Sequence, residues 1–326
     1  MKVIHFQRRP AEAQISIERL FAEIRRHLPE MWRAEVAVCP EYSRGLWPRV
    51  KNLCWAWRRA GQVNHIVGDC HYLAFALPKQ GLVLTIHDCA ALNRLTGWRR
   101  ELMRYYWFTG PMRRARVVTT ISETTKNELK KWVGALADKV VVIPNCVNAE
   151  FVACPKLFSD PPVVLQVGTG WNKNLEGVAE ALQGTPYFLE IVGELRPRQW
   201  EKLQALGVPF RVLGRVSDAE LVEAYRRCDL VVFASLYEGF GLPVLEAQAT
   251  GRPVITSNRS SLPEAAGEGA LFVDPESVEE IREAVLRVTT EVVLREELVK
   301  KGLENVKRFR PEAVAARYAQ VYEKIG

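Results

Sequence analysis

The sequence offers no ready-made metal or disulfide chemistry. Its 326 residues contain no CxxC pair and no HExxH pair, which removes the zinc-ribbon and zincin readings. The seven cysteines (Cys39, Cys54, Cys70, Cys89, Cys146, Cys154 and Cys228) are odd in number and widely spaced. That pattern fits reduced thiols in the cytosol better than a disulfide frame. No stretch approaches the roughly 20 continuous apolar residues of a membrane helix. The start, MKVIHFQRRPAEAQ, has neither an apolar signal core nor a small-residue cleavage site. A cytoplasmic protein is expected. No GxGxxG follows the first strand candidate, which argues against an NAD-dependent dehydrogenase.

What is present is globular in composition, with 48% hydrophobic and 25% charged residues. The net charge of +7 is unevenly placed. Residues 1–155 hold 24 Lys+Arg against 13 Asp+Glu, and the rest hold 21 against 25. The asymmetry suggests that the first half meets an anionic surface, a membrane or nucleic acid, unless its arginines are simply solvated.

Short apolar runs alternate with helix-period patterns, the rhythm of parallel sheets with helices between strands. The first run, Val3-Ile4-His5-Phe6, precedes a helical spacing of Ile17, Leu20, Phe21, Ile24 and Leu28. Further strands are predicted at 34–38, 63–67, 82–86, 117–121 and 140–143. Residues 151–162 (FVACPKLFSDPP) hold three prolines and read as a linker. The rhythm resumes at 163–167, 188–192, 210–213, 230–234, 253–256 and 270–273. Two doubly wound α/β domains are thus predicted, at 1–152 and 163–310, with ligands outside the carboxyl ends of the strands. A cleft between two such facing domains follows as an expectation. Residues 311–326 form an amphipathic helix with Val314, Tyr318, Val321 and Tyr322 on one face, able to pack back on the first domain or on the second.

The segment SLYEGFGLPVLE, from Ser235 to Glu246, carries the most chemistry. A buried strand enters a loop with Gly239 and Gly241, and a helix is predicted to begin near Pro243, where a missing N–H costs nothing. The glycines let backbone approach a ligand. Free amides at Val244 and Leu245, with the helix dipole, suit a diphosphate. Glu238 lies in the loop and Glu246 is placed in the first helical turn. Carboxylates beside a phosphate site are unfavourable unless they accept from ligand hydroxyls, which sugars and riboses supply. Taken singly, Glu246 is a dipole-favouring first-turn residue and the glycines are a plain turn; their combination points to a site.

Glu238 and Glu246, with seven residues between them and the context GFGLPVLEAQATGRPVI, resemble the signature of the retaining GT-B glycosyltransferases of family four (glycosyl transferases group 1). The stretch from Leu165 through Gly168, Asn172 and Lys173 resembles the family's glycine loop with its phosphate-binding lysine. FRVLGRVSD, around Arg215 and Val216, resembles the stretch whose backbone reads the nucleobase. Thr85-Ile-His87-Asp88 resembles the loop whose histidine approaches the donor sugar. The resemblance implies that Lys173 neutralises donor phosphate charge, Glu238 binds hydroxyls of the transferred sugar, and His87 contacts that sugar from the other domain. It also implies that Glu246 holds the ribose, while Gly168, Asn172, Val216, Gly239, Phe240, Gly241, Leu242 and Val244 line the donor. Leaving-group departure puts negative charge on the phosphates, which a lysine and a helix N-terminus stabilise without a metal. No DxD motif is present. The resemblance therefore implies a metal-independent, retaining transferase with no cofactor, whose nucleotide-sugar donor is a substrate, UDP- or GDP-linked, and whose acceptor is a glycan or a lipid-linked sugar.

Two places depart from the family. Its Gly-Gly pair in the first βα loop is replaced by Phe6-Gln7-Arg8-Arg9-Pro10-Ala11, and Trp171-Asn172 stand ahead of Lys173 where an arginine is common. These departures keep a non-catalytic partner subunit among the alternatives, beside a sugar-nucleotide epimerase of the same architecture. The run from Arg94 to Arg116 mixes seven arginines with Trp98, Tyr105, Tyr106, Trp107 and Phe108, and Trp47, Trp55 and Trp57 with Arg49, Arg58 and Arg59 form a second such region. Either is suited to lie peripherally on the anionic inner face of a membrane, or to pack its aromatics inward. No nucleic-acid module is recognisable, and none is expected as a partner.

Overall fold

The alternating apolar runs become two parallel six-stranded sheets in the computed structural model, which describes residues 2–10 and 16–326. The chain divides into two units, residues 1–146 with 311–326, and residues 147–310.

In unit 1 the strands are β1 (Val3–Gln7), β2 (Ala34–Val38), β3 (Val63–Ile66), β4 (Leu82–Ile86), β5 (Val117–Thr120) and β6 (Val140–Val142), in the order β2-β1-β3-β4-β5-β6. The helices between them are α1 (Ser16–His27), α2 (Leu46–Arg59), α3 (Ala90–Arg94), α4 (Gly97–Met103), α5 (Gly110–Arg114) and α6 (Glu123–Val133), with a π-helical turn at Arg104–Thr109. The central strands are buried on both faces, which is why they read as continuous apolar runs rather than alternating ones.

In unit 2 the strands are β7 (Val163–Val167), β8 (Phe188–Val192), β9 (Phe210–Gly214), β10 (Leu230–Phe233), β11 (Val254–Ser257) and β12 (Leu271–Val273). The helices are α7 (Leu175–Leu182), α8 (Pro197–Leu206), α9 (Asp218–Arg227), α10 (Leu242–Ala249), α11 (Leu262–Ala266), α12 (Val278–Thr290) and α13 (Val292–Asn305). The order β12-β11-β10-β7-β8-β9 reverses between β7 and β10. Loops leaving the carboxyl ends of those two strands therefore diverge and leave a crevice.

The proline-rich segment 151–162 is strapped to unit 2. Asp229, fully buried, pairs with Lys156 and accepts from the backbone N–H groups of Ser159 (3.0 Å) and Val163 (2.7 Å). Arg252 donates to the Cys154 carbonyl at 2.8 Å. A buried carboxylate needs such partners, and collecting them from the segment fixes its path.

The last helix, α14 (Pro311–Glu323), belongs to unit 1. Its buried face, Val314, Tyr318, Val321 and Tyr322, joins a core with Phe21, Ile24, Trp32 and Val83. A polar chain runs through this core. The Tyr322 hydroxyl lies 2.8 Å from both His5 Nε2 and His65 Nδ1, and His65 Nε2 lies 2.7 Å from Thr85 Oγ1. Arg25, which can only donate, faces His5 Nδ1 at 3.5 Å. The proton of His5 is thereby assigned to Nε2, so His5 donates to Tyr322, Tyr322 to His65, and His65 to Thr85. Burial holds both imidazoles neutral, with His65 lowered to about 3.

Candidate functional site

The β7–α7 loop carries Gly168 to Asn174, and its shape is set by residues that tolerate unusual backbone. Gly168 has φ +90°, and a Cβ there would sit 3.0 Å from Lys173 Cε. Asn174 takes the left-handed conformation, φ 53°, and its side chain donates to the Pro275 carbonyl at 2.6 Å. Gln166, buried on β7, donates to the Lys173 carbonyl at 2.9 Å. The lysine backbone is thus held from two sides, and its Nζ sits 4.6 Å from the centroid of the buried Phe233 ring on β10.

Across the crevice, the β10–α10 loop holds Glu238 by its backbone. Ser261 Oγ donates to the carbonyls of Glu238 and Phe240, both at 2.9 Å, and the Glu238 N–H donates to Ser260 Oγ at 3.3 Å. The two loops meet: Lys173 Nζ lies 2.7 Å from Glu238 Oε1. Asn172 Nδ2 donates to the same oxygen at 3.2 Å and to the Tyr237 carbonyl at 2.9 Å. Side chains of Lys173 and Glu238 are 21% and 12% exposed, enough for a ligand to reach and little enough for the charges to be felt strongly.

Gly241, φ +112°, turns the chain into α10; a Cβ would meet Leu262 Cδ2 at 2.6 Å. The helix begins at Leu242, with Pro243 second, so Glu246 lies in its second turn rather than its first. Val244 was expected to offer a free amide, but its N–H donates to the Gly241 carbonyl at 3.1 Å, because the first turn closes tightly on that carbonyl. Glu246 is partly buried and accepts from the Tyr225 hydroxyl at 2.7 Å. Burial pushes its carboxyl up to about 7, although the Tyr225 bond and nearby Lys173 pull the other way. Tyr225 is fully buried in α9.

The structure therefore brings Gly168, Asn172, Lys173, Glu238, Gly239, Phe240, Gly241, Leu242, Val244 and Glu246 together in the β7/β10 crevice or its α10 wall. Val216 stands apart, in the turn after β9, where Ser217 Oγ caps α9. Arg215 beside it is exposed and paired with Glu194 at 3.1 Å. His87 belongs to unit 1, just past β4; its Nε2 lies 3.0 Å from the Val67 carbonyl, and burial lowers its basicity. Two partners of the candidate site carried no sequence signal: Tyr225, 21 residues before Glu246, and the Ser260-Ser261 pair beneath Glu238. Among the described residues, no group of three His, Cys, Asp or Glu is placed to hold a metal ion.

The comparisons say which family combines these two six-stranded parallel sheets with such a lysine–glutamate crevice. The profile for "Glycosyl transferases group 1" matches residues 149–305 and that for "Glycosyltransferase Family 4" residues 35–151. The chain belongs to the family-four glycosyltransferases and has their GT-B fold. It is 29% identical over 298 residues to the O-antigen chain mannosyltransferase B of Escherichia coli, covering 82% of this chain and 76% of that one. It is 28% identical over 222 residues to the serotype-specific mannosyltransferase WbdA of Escherichia coli, covering 60% of this chain but only 27% of that longer protein. Among solved structures, Anabaena Alr3699/HepE in complex with UDP superimposes with a TM-score of 0.81 at 17% identity, over 99% of this chain and 100% of that one.

Proposed function

We propose that this glycosyltransferase moves a mannosyl group from a nucleoside-diphosphate donor to a growing glycan or lipid-linked acceptor, with retention of configuration and without a metal. The observation that carries the donor reading is the Lys173–Glu238 pair at the β7/β10 switch point. In the protein these two groups satisfy each other. A donor offers each a better partner: phosphate oxygens for the lysine, sugar hydroxyls for the carboxylate. Binding then exchanges one short ion pair for two charge-assisted contacts at opposite ends of the bond to be broken. As the bond breaks, Lys173 faces the growing phosphate charge. Glu246, backed by Tyr225, accepts from ribose hydroxyls. Mannose is favoured because the curated relatives reported above are named mannosyltransferases. The basic aromatic run from Arg94 to Arg116 supports work at an anionic membrane surface, where a lipid-linked acceptor resides.

The test is thermal stabilisation by UDP, GDP and ADP, followed by product analysis with the matching nucleotide-mannose. A ligand at a hundred times its dissociation constant adds about 2.7 kcal/mol of stability. One nucleoside diphosphate should stabilise the protein, and the stabilisation should shrink in Lys173→Ala. No stabilisation by any of them refutes the donor reading. Formation of the epimeric sugar from donor alone, rather than hydrolysis to free mannose, would replace transfer by epimerisation.

A further inference from the structure

Helix α2 carries apolar groups on both faces. Its inward face is partly polar: Asn52 is buried, donating to the Glu41 carbonyl and the Tyr72 hydroxyl, both at 2.9 Å, beside Leu53 and Ala56. Trp55 also packs inward, against Phe6, but the outward face carries large apolar groups as well. Leu46, Trp47 and Trp57 are 73%, 76% and 66% exposed, and Val50 and Cys54 lie between them at helical spacing. In a solvated helix these positions would be charged or polar.

Every charge on α2 is positive. Residues 46–59 contain Arg49, Lys51, Arg58 and Arg59 and no Asp or Glu. Arg49 turns inward, its guanidinium 4.9 Å from the Trp107 ring. Lys51 and Arg58 remain at the stripe's edge, Lys51 in an exposed pair with Glu41 at 3.1 Å that a lipid phosphate would replace, and both line with Trp47 and Val50 a groove of about 570 Å³. The Arg49–Trp107 contact joins α2 to the π-helical turn, which presents a second exposed set: Tyr105 and Tyr106, with Trp98 and Leu102 from α4, at 47–69% exposure. Trp107 and Phe108 from the same run go into the core. The structure thus separates the aromatics of this region into those that pack and those that do not.

We infer that the outward face of α2 is a docking surface for an anionic lipid bilayer, with Trp47 and Trp57 seated among headgroups and Lys51 and Arg58 on lipid phosphates. This rests on, and deepens, the reading that the enzyme works at a membrane surface; it assigns that contact to an element outside Arg94–Arg116. Charge decides the occupant. A second copy of α2 in a two-fold contact would set cations against cations. Nucleic acid would find phosphate partners but no use for Leu46 and Val50. A bilayer interface takes aromatic rings, aliphatic groups and cations together.

The test uses the whole protein and vesicles of phosphatidylcholine, with or without phosphatidylglycerol. Cys54, the exposed cysteine at the centre of the stripe, carries an environment-sensitive dye. Sedimentation with the anionic vesicles only, and a blue shift of the dye on binding, are expected. Lys51→Glu and Arg58→Glu should each weaken binding about fivefold or more, since an interfacial cation contributes roughly that much. Trp47→Ser with Trp57→Ser should abolish the dye shift. Nucleoside diphosphate stabilisation should stay unchanged in all four substitutions, which shows that they fold and separates this inference from the donor reading. Absence of binding, equal binding to neutral vesicles, or binding indifferent to the α2 substitutions overturns the inference. So does a dimer in the wild type that the tryptophan substitutions dissociate, because α2 would then be a subunit interface.

Discussion

Glu246 makes donor affinity depend on pH in a way that can be worked out beforehand. Burial raises its carboxyl from 4.5 to about 7, so half of the molecules carry it protonated at neutrality. Two ribose hydroxyls donate best to an ionised carboxylate. Binding should therefore select the ionised form and release a proton. The ionised fraction falls from about one half at pH 7 to about one tenth at pH 6, so affinity for the nucleoside diphosphate should fall about fivefold over that unit. Above pH 8 it should level off. The phosphates titrate in the same range, so the quantity to measure is the ratio of wild-type to Glu246→Gln affinity at each pH, by calorimetry. The glutamine variant cannot titrate there, and the ratio isolates the carboxyl. Tyr225→Phe removes a donor that favours the ionised form and should move the midpoint upward. The same shift has a stability signature of opposite sense. A carboxyl that holds its proton longer in the fold than in the unfolded chain favours the fold at low pH, and that advantage is lost as pH rises from about 4.5 to about 7. A flat wild-type-to-variant ratio from pH 6 to 8, or a ratio that rises towards acid, would refute the placement of Glu246 on the ribose.

Three other perturbations separate the parts. Lys173→Ala should weaken nucleoside diphosphate binding by about tenfold or more, since a charge-assisted contact contributes about 1.5–3 kcal/mol; unchanged affinity would remove the lysine from the phosphates. Gly241→Ala must place a Cβ 2.6 Å from Leu262 at a positive φ, and should cost about 2–4 kcal/mol in urea denaturation. Tyr322→Phe strands His5 Nε2–H and His65 Nδ1 in a buried core, at about 1–3 kcal/mol each; a loss below about 1 kcal/mol would show that the two histidines find each other instead.

Much of this was legible in the sequence, for a physical reason. Strands buried on both faces are short apolar runs, so most strand boundaries fall within a residue of those expected, and 34–38, 82–86, 163–167 and 188–192 coincide. Glu238 and Glu246 could be found because one strand–loop–helix unit holds both. Lys173 was reached only through the resemblance of residues 165–175 to the family's glycine loop. What escaped was everything joined through space alone. Tyr225 reaches Glu246 from α9, and nothing in its local spacing announces a carboxylate partner. His5, His65 and Tyr322 meet across 317 positions of chain. The Arg94–Arg116 run looked uniform because composition does not reveal which way a side chain turns; the π-helical turn shifts the phase, sending Trp107 inward and Tyr105 and Tyr106 out. The Val244 amide looked free because sequence does not show how tightly a first turn closes.

The helix that closes the first unit follows the whole of the second in the chain. The ribosome must therefore deliver residues 147–310 before α14 can bring Tyr322 to the waiting histidines. At ordinary elongation rates this delay is on the order of 10 s, far longer than a helix or a small domain needs to form. For that time the apolar groove between α1 and the sheet stands open. A chain truncated before residue 311 would keep it open permanently.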